Sequence, residues 1–163
     1  MDYLYENLND ERFQEFCNVL ISKEFSNLQA FPVGQPDGGR DALAYFMDSQ
    51  KKEFIVFQVK FVKNTKSLSN PHQWLIEVLR GEIEKIERLI PKGAKEYYLL
   101  TNVDGTAPLD SGSKDKANKI LEERIPIPAQ CWWRDDISRR FEKDPIFKWS
   151  FPEILNGQDI LNS

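Results

Sequence analysis

Three residues in the first half of the chain have types and spacing suited to chemistry on a phosphate ester: Asp41, Gln58 and Lys60. A hard divalent cation takes oxygen ligands, and hydrolysis at phosphorus needs such a cation on the phosphate plus a group that orients or deprotonates the attacking water. The Asp41 carboxylate can be the anionic ligand, the Gln58 amide oxygen a neutral one and the Val59 carbonyl a third, with positions left for water and phosphate. Lys60 beside the cation could activate water or stabilise a pentavalent phosphate, and the sequence does not choose between these roles. One carboxylate makes a charge-poor ligand set, so metal affinity should stay weak until phosphate oxygens add their charge. An Asp followed at a distance by Q-x-K is a common pattern. Its plain alternative is a surface Asp and a solvated strand end.

The elements that must position these residues are legible from periodicity. Phe13, Phe16, Cys17, Leu20 and Ile21 recur at helical spacing behind Asn9 or Asp10 as caps, which predicts a helix over 10–24. Leu28 to Val33 reads as a strand, Gly34 to Arg40 as a Gly-rich turn, and Ala42 to Met47 as a second strand opened by Asp41. From Glu53 to Phe61, Ile55, Phe57, Val59 and Phe61 form one face. On the other, Phe54 and Val56 give way to Gln58 and Lys60, so a buried strand delivers two polar side chains near its end.

Pro71 can open a second helix with a packing stripe of Trp74, Leu75, Val78, Leu79, Ile83, Ile86 and Ile90, ended by Pro91 and Gly93. Tyr97 to Thr101 follows as a strand, which a long helix before it makes a parallel crossover. A third helix is expected over 116–124, a fifth strand over 128–133, and a short helix capped by Asp135 through Phe141. The core order is therefore α, β, β, β, α, β, an α/β fold with a mixed sheet between helices. Residues 1–143 read as one domain and 144–163 as a segment packed on its surface or leading to a further domain.

Composition sets limits on this reading. The 163 residues include four Trp, eleven Phe and five Tyr, enough for a real core, and carry a net charge of −4, which argues against binding nucleic acid by bulk electrostatics. A local metal, another domain or another subunit would have to supply the missing positive charge. No apolar run suits a membrane span and Met1 to Asn9 do not suit a secretory signal, so a cytoplasmic location is expected by default. Cys17 and Cys131 fit buried free thiols better than a redox or zinc motif.

His72, the single histidine, excludes a His-based triad or metal cluster within the chain and reads as a helix-start residue. Gly38 and Gly39 lack the G-K-[ST] of a phosphate loop. Of Trp132 and Trp133, at least one should be core. Arg40, Lys60, Lys63, Lys66, Arg139 and Arg140 are candidate phosphate contacts, with a solvated surface as the plain reading.

Taken together, the segments FQEFC, VGQPDGGRDA, FIVFQVKFVK, YYLLTNV and QCWWRDDISRR resemble the Mrr-like branch of the PD-(D/E)xK nuclease superfamily, over roughly residues 3–142. They are most similar in kind to nuclease domains at the N-termini of prokaryotic STAND NTPases that act in defence against phage. The resemblance implies a restriction-endonuclease-like αβββαβ core and hydrolysis of phosphodiester bonds in double-stranded DNA with Mg²⁺, for which Mn²⁺ can substitute. It also implies activation by assembly of a parent protein, a STAND NTPase fused to the domain or working with it, and two cuts on two strands separately favour a homodimer or higher homo-oligomer. It assigns the acidic position to Asp41 rather than Asp37, and the (D/E/Q)-x-K to Gln58 and Lys60. Where related nucleases often carry a Glu on the first helix, this chain has Gln14, with Glu15 one position on. A DNA-binding pseudonuclease and a protein interaction or oligomerisation module on the same fold remain the alternatives.

Overall fold

Helix α1 (Asp10–Glu24) starts where Asn9 turns extended and its side chain accepts from the Arg12 N–H at 2.7 Å, covering an amide the first turn leaves unpaired. The computed structural model that shows this describes residues 2–30, 42–45, 52–105 and 113–157. Strands β1 (Leu28–Ala30), β2 (Ala42–Tyr45) and β3 (Phe54–Lys60) pair antiparallel in succession. β3 then pairs parallel with β4 (Ala94–Thr101), and β4 parallel with β5 (Ala129–Trp132), giving a five-stranded sheet in the order β1-β2-β3-β4-β5. The chain is a mixed α/β protein. The Gly-rich turn expected over 34–40, and Asp41 itself, lie outside the described residues.

Helix α2 (Pro71–Leu89) makes the crossover from β3 to β4. Asn70 accepts from the Gln73 N–H at 3.1 Å, and Pro71 occupies the first turn, where its missing N–H costs nothing. Beyond Leu89 the chain tightens into a 3₁₀ turn that ends at Gly93, whose φ of 120° suits glycine. A Cβ there would also stand 2.7 Å from the Lys52 carbonyl oxygen, so the close approach of the two segments requires glycine as well.

Period-two alternation splits the core into two layers. Ile55, Phe57, Ala42 and Ala44 join the apolar faces of α1, α4 (Arg134–Glu142) and α5 (Pro145–Ser150). Phe54, Val56, Tyr97 and Leu99 join α2 and α3 (Ser113–Arg124) on the other side. Val59 packs against the first layer, as its place between two polar neighbours predicts. Trp132 and Trp133 are both buried, one in each layer, and a Cβ on Gly105 would meet the Trp133 ring at 2.5 Å.

One expectation changes. Asp135 does not cap α4: Trp133 takes that place, the helix starts at Arg134, and the Asp136 carboxylate reaches back to accept from the Trp133 N–H at 3.0 Å. Over its described part the segment from Asp144 on packs against the rest of the chain. Asp144 accepts from the Phe147 N–H at 3.0 Å to start α5, and Phe147, Phe151, Ile154 and Leu155 are buried in the same core as α1. Pro145 and Pro152 sit at the starts of α5 and of a 3₁₀ turn, where proline is tolerated. Among the described residues, no helix is long and apolar enough to cross a membrane.

Candidate active site

β3 carries Gln58 and Lys60 on the face it turns toward α2, the same face as Phe54 and Val56. Gln58 is 4% exposed, and its Nε2 finds no acceptor among the described residues. A buried amide group left unpaired is costly, and here it stands on the strand singled out for chemistry. Lys60 is only partly covered, and its Nζ lies 2.8 Å from Oε1 of Glu82 on α2. Glu82 itself is 3% exposed, and its Oε2 is buried without a donor among the described residues. The Nζ of Lys85, one turn on, lies 3.6 Å from the same Oε1.

Asp41 precedes Ala42, whose antiparallel partner Phe57 precedes Gln58. Gln14 is buried on α1, the helix of the opposite layer, and the neighbouring Phe13 packs in a tilted contact on Phe61 just past the end of β3, with ring centroids 5.3 Å apart. Glu15 instead faces outward and pairs with Arg12 at 3.0 Å, and Arg12 reaches on to Glu153 at 2.8 Å. Among the described residues there is no group of three or more His, Cys, Asp or Glu side chains placed to hold a metal.

Glu82 was not singled out by the sequence, although a signal was present. Leu75, Leu79, Ile86 and Leu89 are buried at alternating steps of four and three with position 82 between them, so a carboxylate interrupts an otherwise apolar seam. Asn102 was also missed. Buried after β4, it accepts from the Val62 N–H at 2.9 Å and donates to the Val62 carbonyl at 2.8 Å, splicing the end of β3 to the end of β4.

No family model matches this chain. No curated protein matches it either.

Most of the candidate phosphate contacts are already engaged. Lys63 donates to the carbonyls of Glu6 and Leu8 at 2.6 and 3.1 Å, Arg139 pairs with Asp136, and Arg140 pairs with Glu24 at 2.7 Å while lying over the Trp132 ring. Arg40 lies outside the described residues, and Lys66 is exposed.

A cleft of about 880 Å³ opens beside the loops that follow β3 and β4, lined by Glu6, Lys63, Lys66, Asp104 and Arg134 among others, but not by Gln58, Lys60 or Glu82. Its charges are mixed, and Arg134 at its wall is paired with Asp2 and Glu6, which marks a structural junction. Arg134 pairs with Glu6 and donates to the carbonyls of Tyr3 and Asn102 at 2.6 and 3.1 Å, while Thr65 donates to Glu6 at 2.6 Å. Burial opposes the charge on Glu6, but hydrogen bonds from Arg134 and Thr65 outweigh it and hold the carboxyl below its usual 4.5. A depressed folded value stabilises the protein above the unfolded value, and this contribution is lost as pH falls through the folded value. Glu6→Gln should therefore lower stability at neutral pH and shrink the difference from the parent as pH falls below about 4.5. Urea unfolding at a series of pH values checks this, and a difference independent of pH would refute it.

Proposed function

We propose that this chain is a metal-dependent endonuclease that hydrolyses phosphodiester bonds of double-stranded DNA, working through Asp41, Gln58 and Lys60. The observation that carries the reading is the β3 strand end, where Gln58 and Lys60 share one face and Gln58 is buried with its amide nitrogen unpaired among the described residues. The element order also supports it: an antiparallel three-strand meander continued by parallel strands, with helices on both faces, is the arrangement expected of a restriction-endonuclease-like αβββαβ core. We read the domain as an antiphage effector acting as a homodimer or higher assembly, because two cuts on two strands favour paired sites, and as a partner of a STAND NTPase.

The residues proposed for the site supply oxygen donors of the kind a hard cation such as Mg²⁺ or Mn²⁺ takes. Among the described residues the Gln58 amide nitrogen has no hydrogen-bond acceptor, and the described part of β2 ends one residue from Asp41. Asp41, the Gln58 amide oxygen and the Val59 carbonyl would hold the ion. When bound, it would polarise the scissile phosphate and acidify a bound water. The chain's own part is to orient. Gln58 presents a neutral oxygen from a dry wall, and Lys60 brings a positive charge to the phosphate from the partly open side. With a neutral amide in place of a second carboxylate, the site would hold the ion weakly until phosphate oxygens add their charge, coupling metal binding to DNA binding.

The test is cleavage of supercoiled plasmid with Mg²⁺, Mn²⁺ or EDTA, comparing the parent with Asp41→Ala. Metal-dependent cutting by the parent, reduced by on the order of 10²-fold or more in the variant, is expected. Salt-sensitive DNA binding without any cutting, even after forced dimerisation, would replace the nuclease with a DNA-binding pseudonuclease. Neither binding nor cutting would point to a protein interaction module.

A further inference from the structure

We propose that Glu82 is the positioning residue for Lys60, a buried carboxylate on α2 that grips the ammonium group and fixes the direction of its remaining donors. The inference rests on the reading of β3 as the active strand. An ammonium has three N–H donors on a flexible stem, so a lysine at a strand end samples many directions unless something holds it. Oε1 of Glu82 lies 2.8 Å from Lys60 Nζ, and the two side chains are unequally covered, 4% exposed for Glu82 and 34% for Lys60. The carboxylate is thus the fixed member, set in the helix seam, and the lysine is the member that meets solvent and any substrate. One N–H is directed at Glu82, and among the described residues the others can turn to a phosphate oxygen or a water.

Stability does not account for this glutamate. Position 82 lies in line with Leu75, Leu79, Ile86 and Leu89, where an apolar side chain would pack without desolvating a charge. A buried ion pair that contributes to folding has its lone pairs filled, whereas Oε2 of Glu82 has no donor among the described residues. Lys85 approaches only the oxygen that already holds Lys60. A costly, half-satisfied carboxylate kept in contact with the one lysine of the active strand is what positioning requires and packing does not.

The experiment uses the full chain with Glu82→Gln, Glu82→Asp and Glu82→Met, and reads three quantities. The first is competitive acetylation of Lys60 followed by mass spectrometry, with the exposed Lys95 and Lys119 as internal references. The second is single-turnover cleavage of a DNA duplex with Mn²⁺ as a function of DNA concentration, and the third is Tm. In Glu82→Gln, acetylation of Lys60 relative to the references should rise about threefold or more as the ammonium is released. The maximal cleavage rate should fall by on the order of 10–100-fold with the half-saturating DNA concentration nearly unchanged, a loss typical of an outer-shell partner. Glu82→Asp should recover part of both, and Glu82→Met should keep or raise Tm while cleaving as poorly as Glu82→Gln. Unchanged Lys60 acetylation overturns the proposal, as does cleavage by Glu82→Met within about twofold of the parent, or a drop in Tm that accounts for its lost activity. If the parent does not cut while Lys60 acetylation rises in Glu82→Gln, the nuclease reading falls and Glu82 stands as the anchor of Lys60.

Discussion

Lys60→Met should lower single-turnover cleavage of duplex DNA by on the order of 10²–10⁴-fold, the range for losing a group that moves a proton or meets charge in the transition state. The fold should survive. The Lys60 side chain is 34% exposed at the end of its strand, and Lys85 remains 3.6 Å from the Glu82 oxygen that Lys60 vacates. Lys60→Arg should recover little, because a planar, longer guanidinium cannot keep a single 2.8 Å contact with Glu82 and still aim its charge where the ammonium did. Rapid-quench cleavage with Mg²⁺, set beside a thermal melt of each variant, makes the comparison. If Lys60→Met cleaves within about threefold of the parent while folded, Lys60 has no part in the chemistry, and Gln58 and Asp41 would have to act with a different cation.

Legibility in the sequence followed the range of the interaction. α1 and its Asn9 cap, the Pro71 start of α2 and the face switch of β3 are set by residues within one or two turns of each other, and each was readable from spacing. The pairing of Glu6 with Arg134 and the bridge from Asn102 to Val62 join distant positions, and nothing local predicts them. Glu82 lies between these cases. Its place in the seam is periodic, but α2 also carries Glu77, Glu84 and Glu87, so one acid in four is buried and composition does not say which. At the candidate site the strand was readable. Its partner on α2 was not, because the contact from Lys60 to Glu82 depends on how the helix is rotated over the sheet.

The α4–α5 end shows a different limit. Proline at 145 and 152 leaves the segment after Asp144 without a readable element, yet both residues start helical turns. What decides the outcome is the apolar set between and around them, Phe147, Phe151, Ile154 and Leu155, which has a face to bury only once α1 is present.

That dependence gives the largest stability effect expected in the chain. Phe16→Ala should cost about 3–5 kcal/mol, the range for removing a fully buried aromatic side chain. Phe16 is 0% exposed and central: its ring centroid lies 5.1–5.5 Å from those of Tyr5, Phe141, Phe147 and Phe151, drawn from the N-terminal turn, α4, α5 and the turn beyond. Most of these contacts are edge-to-face, the geometry that adds to simple burial. Those neighbours are themselves in mutual contact, Phe141 with Phe147 at 5.0 Å and Phe147 with Phe151 at 5.5 Å, so the cluster cannot close over the cavity by moving one ring. Urea unfolding should show a lower midpoint with an unchanged slope if the variant loses contacts without changing the unfolded state. A loss below about 1 kcal/mol would mean that α5 and the turn after it fold without leaning on α1. Because Phe13, one turn back, packs on Phe61 beside Lys60, a loosened α1 should also reduce cleavage at temperatures where the variant is still folded, and cooling should restore it.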